Sequence, residues 1–136
     1  MKGLLALLVA LLLQGCGGIA LHGASNHYGG IEFALESRDK VIYPVLGYAK
    51  IRGDNEYVYA GLQYVESMGD LGEYAVSFSA GRYDANSLDL GHELEFRTAV
   101  EIFPWDHFRI GYVHISNAGL GDLNPGFDAL MVTLRF

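Results

Sequence analysis

The chain has a single cysteine, Cys16, so no disulfide can close within one copy. Basic charge is scarce: Lys and Arg number 9 against 16 Asp and Glu, a formal net charge of -7. That balance leaves no electrostatic footprint for nucleic acid. No apolar run reaches the roughly 20 residues that a membrane-spanning helix needs. No Cys/His cluster has zinc spacing and no Gly-rich phosphate loop follows a strand, so neither a metal site nor a cofactor is expected. Helix formers do not dominate beyond the first residues. What remains is a chain of 136 residues, enough for one domain. It is rich in Gly (18), Tyr (9) and Phe (7), with 51% hydrophobic residues. Short aromatic-rich strands suit that composition better than a helix bundle.

The first residues read as an export signal. Lys2 is followed by the apolar run 4–13, too short to span a bilayer well. Leu13-Gln14-Gly15-Cys16 then resembles a bacterial lipobox, in which the cysteine becomes the acylated first residue of the mature chain. The plainer reading is a conventional signal cut later, after Ala20, with Cys16 discarded. The expected organisation is a signal peptide over 1–16 and one β domain over 17–136.

Alternation governs the rest. Over 90–102, Leu90, His92, Leu94, Phe96, Thr98, Val100 and Ile102 share one face; Gly91, Glu93, Glu95, Arg97, Ala99 and Glu101 share the other. Period two puts successive side chains on opposite faces of a sheet. Further strands are expected over 28–37, 41–52, 56–66, 73–83, 108–116 and 126–136. Their lengths approach the roughly 9–11 residues of a tilted strand crossing a bilayer. Between them lie turn formers such as Gly53-Asp54-Asn55 and Pro104-Trp105-Asp106. The last strand ends on Phe136, behind Leu130, Val132 and Leu134, and resembles the insertion signal of outer-membrane barrels.

These are seven clear strands. Bacterial single-chain barrels have even numbers. An eighth, faint strand is therefore expected over 18–24, where Ile19 and Leu21 alternate with Ala20 and His22. The expected fold is all-β: an eight-stranded antiparallel transmembrane barrel, which pairs every backbone group as lipid demands. Trp105 reads as part of the inner aromatic belt. Glu93, Glu95, Arg97 and Glu101 read as a salt-bridged filling of the lumen. His92, on the outward face, is assigned no chemistry.

His114 and Ser116 stand two apart on one strand, so they point the same way, with Cα atoms roughly 6.5–7 Å apart. Serine is a weak nucleophile until a base takes its proton, and histidine does so near neutral pH. The imidazole needs a third group to fix its tautomer. Asp128 opens the next strand, and a hairpin would bring it beside His114. Asn117, or backbone N–H groups near Gly119, could serve the oxyanion. Parity places His114, Ser116 and Asp128 on the outward, lipid-facing side. With Phe136 in the periplasm they lie near the outer surface. Polar clusters facing lipid are expensive and point to function.

The string His114-Ile115-Ser116-Asn117-Ala118-Gly119-Leu120, followed by Asn124-Pro125-Gly126, resembles the signature of the lipid A 3-O-deacylases, a family also described as acyloxyacyl hydrolases. The resemblance implies an eight-stranded barrel in the Gram-negative outer membrane that hydrolyses the ester at the 3 position of lipid A. It releases a 3-hydroxy fatty acid and needs no cofactor. It further implies that His114 is the base, Ser116 the nucleophile and Asn117 an oxyanion donor. The family's acidic partner falls at Asp128, where its best-known members carry a Glu, one methylene longer. The lipobox-like Cys16 is a second departure from the family pattern.

The partners expected are lipid A in the outer leaflet and the membrane itself; a homodimer stays open. Plainer roles stand beside the catalytic ones: His114 and Ser116 as interfacial residues, Asn117 as a turn former, Asp128 as a solvated loop-edge charge. Two rival functions remain. A structural or adhesive barrel predicts that Ser116 is dispensable for any change in lipid. A periplasmic lipoprotein binding an apolar ligand predicts extraction from membranes without a folded, heat-modifiable barrel.

Overall fold

In a computed structural model, residues 18–25, 27–34, 41–51, 55–84, 93–105, 107–120 and 126–136 are described. Cys16 and the leader-like segment lie outside them, as does His92. Eight strands run β1 (Gly18–Ala24), β2 (Tyr28–Ala34), β3 (Ile42–Ile51), β4 (Asn55–Ser67), β5 (Glu73–Asp84), β6 (Leu94–Trp105), β7 (Phe108–Ser116) and β8 (Phe127–Arg135). Each pairs antiparallel with its neighbour, and β1 pairs with β8, so the sheet is a closed barrel. Closure leaves no strand edge, the condition for a sheet in lipid. The faint first strand is present and closes the ring. Its seam is fastened by Phe136 N–H on Ile19 O at 2.8 Å and Ile19 N–H on Phe136 O at 3.2 Å.

The alternation read from the sequence sorts the side chains. On β6, Glu95, Arg97, Ala99 and Glu101 are buried in the lumen, while Leu94, Val100 and Ile102 are exposed outside. The outer wall continues around the barrel with Leu21, Val58, Leu62, Phe78, Ile110, Leu130, Val132 and Leu134. An exposed apolar belt of this extent is what a lipid-facing surface requires. β6 runs from Leu94 on to Trp105, and residues 90–92 of the expected strand lie outside the described residues. Its register against β7 shifts between Ile102 and Trp105. Pro104 lies inside that shift and has no N–H to give the ladder. Trp105 stands 66% exposed beyond it, its ring 5.5 Å from that of Phe108. That position, at the end carrying Phe136, suits an interfacial belt.

The lumen is filled by a polar network. Arg97 lies at its centre: Nη1 is 3.6 Å from Glu32 Oε2 and donates to Ser77 Oγ at 3.1 Å, and Nε donates to Tyr28 Oη at 3.3 Å. Its guanidinium covers the Tyr59 ring at 4.8 Å, and the Tyr59 hydroxyl donates to Glu32 at 2.9 Å. A second group joins Arg109 to Glu101 at 3.5 Å. The Thr133 hydroxyl donates to Glu101 at 2.6 Å, which leaves its oxygen to accept from His22 Nδ1 at 2.8 Å. These contacts tie every strand except β3 into one interior. β3 contributes through Gly47, where a Cβ would fall 2.0 Å from Tyr59 Cζ. Glycine is required there for the ring to lie across the lumen. Glu93 departs from expectation. It precedes β6 at the rim, is 66% exposed and reaches Arg82 at 3.9 Å instead of the interior. The strand begins one residue too late to carry it inside.

Val100 faces lipid about half-way along β6, so Val100→Arg is expected to lower stability by about 2–4 kcal/mol in urea-driven unfolding from lipid vesicles. An unchanged midpoint would mean that this face is not in hydrocarbon.

Candidate active site

The last hairpin sets the site. In the β7–β8 ladder His114 is directly opposite Asp128. A direct cross-strand pair brings two Cβ atoms to about 4.5–5.5 Å, within reach of short side chains. The shorter acid therefore suffices: His114 Nδ1 lies 2.7 Å from Asp128 Oδ1. A carboxylate only accepts, so Nδ1 carries the proton and donates it to Asp128. Neutral imidazole then has its lone pair on Nε2, the arrangement of a general base. Both side chains face outward, 43% and 54% exposed.

Ser116 ends β7 two residues beyond His114 and shares its face, opposite Phe96 of β6, while His114 is opposite Thr98. It is half-buried. Among the described residues no hydrogen bond joins its hydroxyl to His114. The structure thus assembles the His114–Asp128 half of the expected triad and puts Ser116 on the same wall beside it.

The chain turns sharply after Ser116. Ala118 (φ 52°) and Gly119 (φ 84°) are both left-handed. That conformation costs an L-residue such as Ala118 roughly 1–2 kcal/mol, and such strain gathers at functional sites. Asn117 has the opposite parity to Ser116 and is fully buried. Its Oδ1 accepts the Gly119 N–H at 2.8 Å, and its backbone carbonyl accepts the Leu120 N–H at 3.0 Å. Asn117 therefore shapes the turn in this structure, and the Gly119 N–H is engaged within it.

Two further residues belong to the site. The Tyr112 hydroxyl donates to Asp128 Oδ1, the same oxygen that receives His114. Tyr112 precedes His114 by two residues on β7 and so shares its face, and the phenol reaches diagonally across the hairpin. Gly126 is buried at the start of the return strand with φ 65°, a left-handed backbone that favours glycine. A Cβ there would stand 3.4 Å from His114 Cε1, an ordinary van der Waals contact.

Among the described residues the site lies on the outer wall of the barrel. A hollow of about 400 Å³ lies at the opposite end, lined by Ser67, Glu73, Phe103, Trp105 and Arg135 among others. The polar cluster on the wall sits beside Leu130, 70% exposed, and Val100, 46% exposed.

A family model described as lipid A 3-O-deacylase (PagL) matches residues 58–136, more than half of the chain and all of this hairpin. The chain belongs to the PagL family. The crystal structure of the outer membrane enzyme PagL superposes with a TM-score of 0.66 at 16% identity, covering 88% of this chain and 97% of that one. The outer membrane protein Ail of Yersinia pestis, in a phospholipid bilayer nanodisc, superposes with a TM-score of 0.53 at 16% identity, covering 88% and 98%. At that identity the superpositions establish the eight-stranded barrel and nothing finer. No curated protein sequence matches the chain. As a PagL-family barrel, the protein resides in the Gram-negative outer membrane.

Gly126→Ala is expected to cost about 1–2 kcal/mol through its left-handed backbone. The added methyl would then touch His114 Cε1, read as a shift of the Cε1–H signal in NMR of the micelle-bound barrel. An unmoved signal with unchanged stability would refute this contact.

Proposed function

We propose that this protein is a serine esterase that removes an ester-linked 3-hydroxyacyl chain from lipid A. The observation that carries the reading is the His114–Asp128 hydrogen bond of 2.7 Å on the lipid-facing wall, with Ser116 on the same face. An ion-pairing group of this kind facing hydrocarbon has no structural rationale and is costly to keep there. Membership of the PagL family supplies the substrate class.

The chemistry follows from the tautomer. Ser116 Oγ attacks the ester carbonyl carbon as His114 Nε2 takes its proton. Asp128 steadies the imidazolium through Nδ1–H. As the tetrahedral intermediate collapses, the sugar C–O oxygen leaves with the proton from His114, and the acyl chain stays on Ser116. Water then attacks the acyl-serine, His114 takes its proton and returns it to Oγ, and the free 3-hydroxy acid departs. The turn after Ser116 serves the oxyanion. Asn117 shapes it, and the Gly119 N–H turns toward the developing charge when it leaves Asn117 Oδ1. No cofactor enters any step.

Placement selects the substrate. With both barrel ends of the chain in the periplasm, the His114 end of the last hairpin lies at the outer leaflet. A lipid there reaches the site along the wall. A lipid on Cys16 fits the same reading: β1 starts at Gly18, at the end away from the site, so an acyl anchor would enter the inner leaflet.

Mass spectrometry of lipid A from a Gram-negative host expressing the protein is expected to show loss of one 3-hydroxyacyl chain. Ser116→Ala should abolish that loss, and Asp128→Asn should reduce turnover by at least about 100-fold by spoiling the tautomer. Unchanged lipid A with a folded natural barrel would favour a structural barrel or another ester.

A further inference from the structure

We propose that Tyr112 is a positioning residue of this site, acting through its hydroxyl on Asp128; the proposal rests on the serine-esterase reading above. Tyr112 precedes His114 by two residues on β7, so both project from the same outer wall. Its direct partner across the ladder is Leu130, and its phenol reaches diagonally to Asp128, the neighbour of Leu130 on that face. Asp128 Oδ1 then receives two donors, the Tyr112 O–H and the His114 Nδ1–H.

Physical chemistry says why a second donor matters here. A carboxylate on a lipid-facing wall is deprived of the water that would otherwise solvate it. Charge-assisted hydrogen bonds from fixed donors replace that solvation, and each is stronger than a neutral one. Asp also has fewer torsions than Glu and must meet His114 from directly across the ladder. Two donors from successive outward positions of β7 hold its carboxylate in the one rotamer that serves the imidazole. This chain pairs a short acid with a tyrosine clamp.

The rival explanation is that Tyr112 is merely an interfacial aromatic, a common role at this depth. Phenylalanine keeps the ring and removes only the hydroxyl, so it separates the two. The barrel of Tyr112→Phe is expected to stay heat-modifiable. With purified barrel and lipid A in detergent micelles, kcat is expected to fall about tenfold at unchanged apparent KM, the order of one hydrogen bond to a charged group. In an Asp128→Ala background the same change should cost nothing further, because the hydroxyl acts only through Asp128. Unchanged kcat, or a full loss repeated without Asp128, would overturn the proposal. If Asp128→Ala turnover falls below detection, the His114 Nδ1–H resonance decides. It is expected to exchange faster in Tyr112→Phe; an unaltered resonance overturns the proposal. The two readings fail separately. A fully active Ser116→Ala sinks the esterase itself, whereas an inactive Ser116→Ala beside a fully active Tyr112→Phe sinks only the clamp.

Discussion

Register between the last two strands decides whether this barrel carries a site at all. His114 and Asp128 meet because they are opposite in the ladder. A slip of one residue would turn every side chain of β8 to the other face. Asp128 would enter the lumen, and Leu130, Val132 and Leu134 would follow it out of lipid. The apolar belt therefore enforces the His114–Asp128 pairing: the hydrophobic penalty for a wrong register falls on three residues at once. β8 is held in turn by β1 on its other edge, so closure of the ring far from the site also protects it.

The interior performs a complementary task. Arg97, Glu32, Glu101 and Arg109 are buried charges, and buried ion pairs are weak sources of net stability. Their value lies in specificity. Arg97, Glu32 and Glu101 each have partners on more than one strand, and leaving any of them unpaired in the lumen is heavily penalised. Such an interior tolerates one arrangement of strands. A wall built on it can hold His114, Asp128 and Tyr112 to hydrogen-bonding distances.

Much of this was legible in the residues because strand parity is so regular. Alternation sorted the two faces of β6, and Asp128 could be aligned with His114 once a hairpin was assumed. Even β1, faint as Ile19 and Leu21 make it, followed from the need for an even ring. Parity names a face, however, and not a partner. That His22, Thr133 and Glu101 form one chain inside the lumen depends on strands distant in sequence. Glu93 obeyed the parity of the lumen yet lies at the rim, because alternation does not mark where a strand begins. Asn117 Oδ1 and the Gly119 N–H bond to each other in a left-handed turn. A turn of that kind leaves little trace in a string where only Gly119 signals it. Parity gives Tyr112 an outer face; its hydroxyl gains meaning only from the diagonal geometry of the hairpin.

The central claim is that Ser116 is a nucleophile activated by His114 on the outer wall of the barrel. A fluorophosphonate probe, which reacts with activated serines, tests it directly. The account predicts one adduct per folded chain, mapped by peptide mass spectrometry to Ser116, and none when His114 is replaced by Ala. An adduct elsewhere, or no adduct from a folded barrel that still deacylates lipid A, would contradict it.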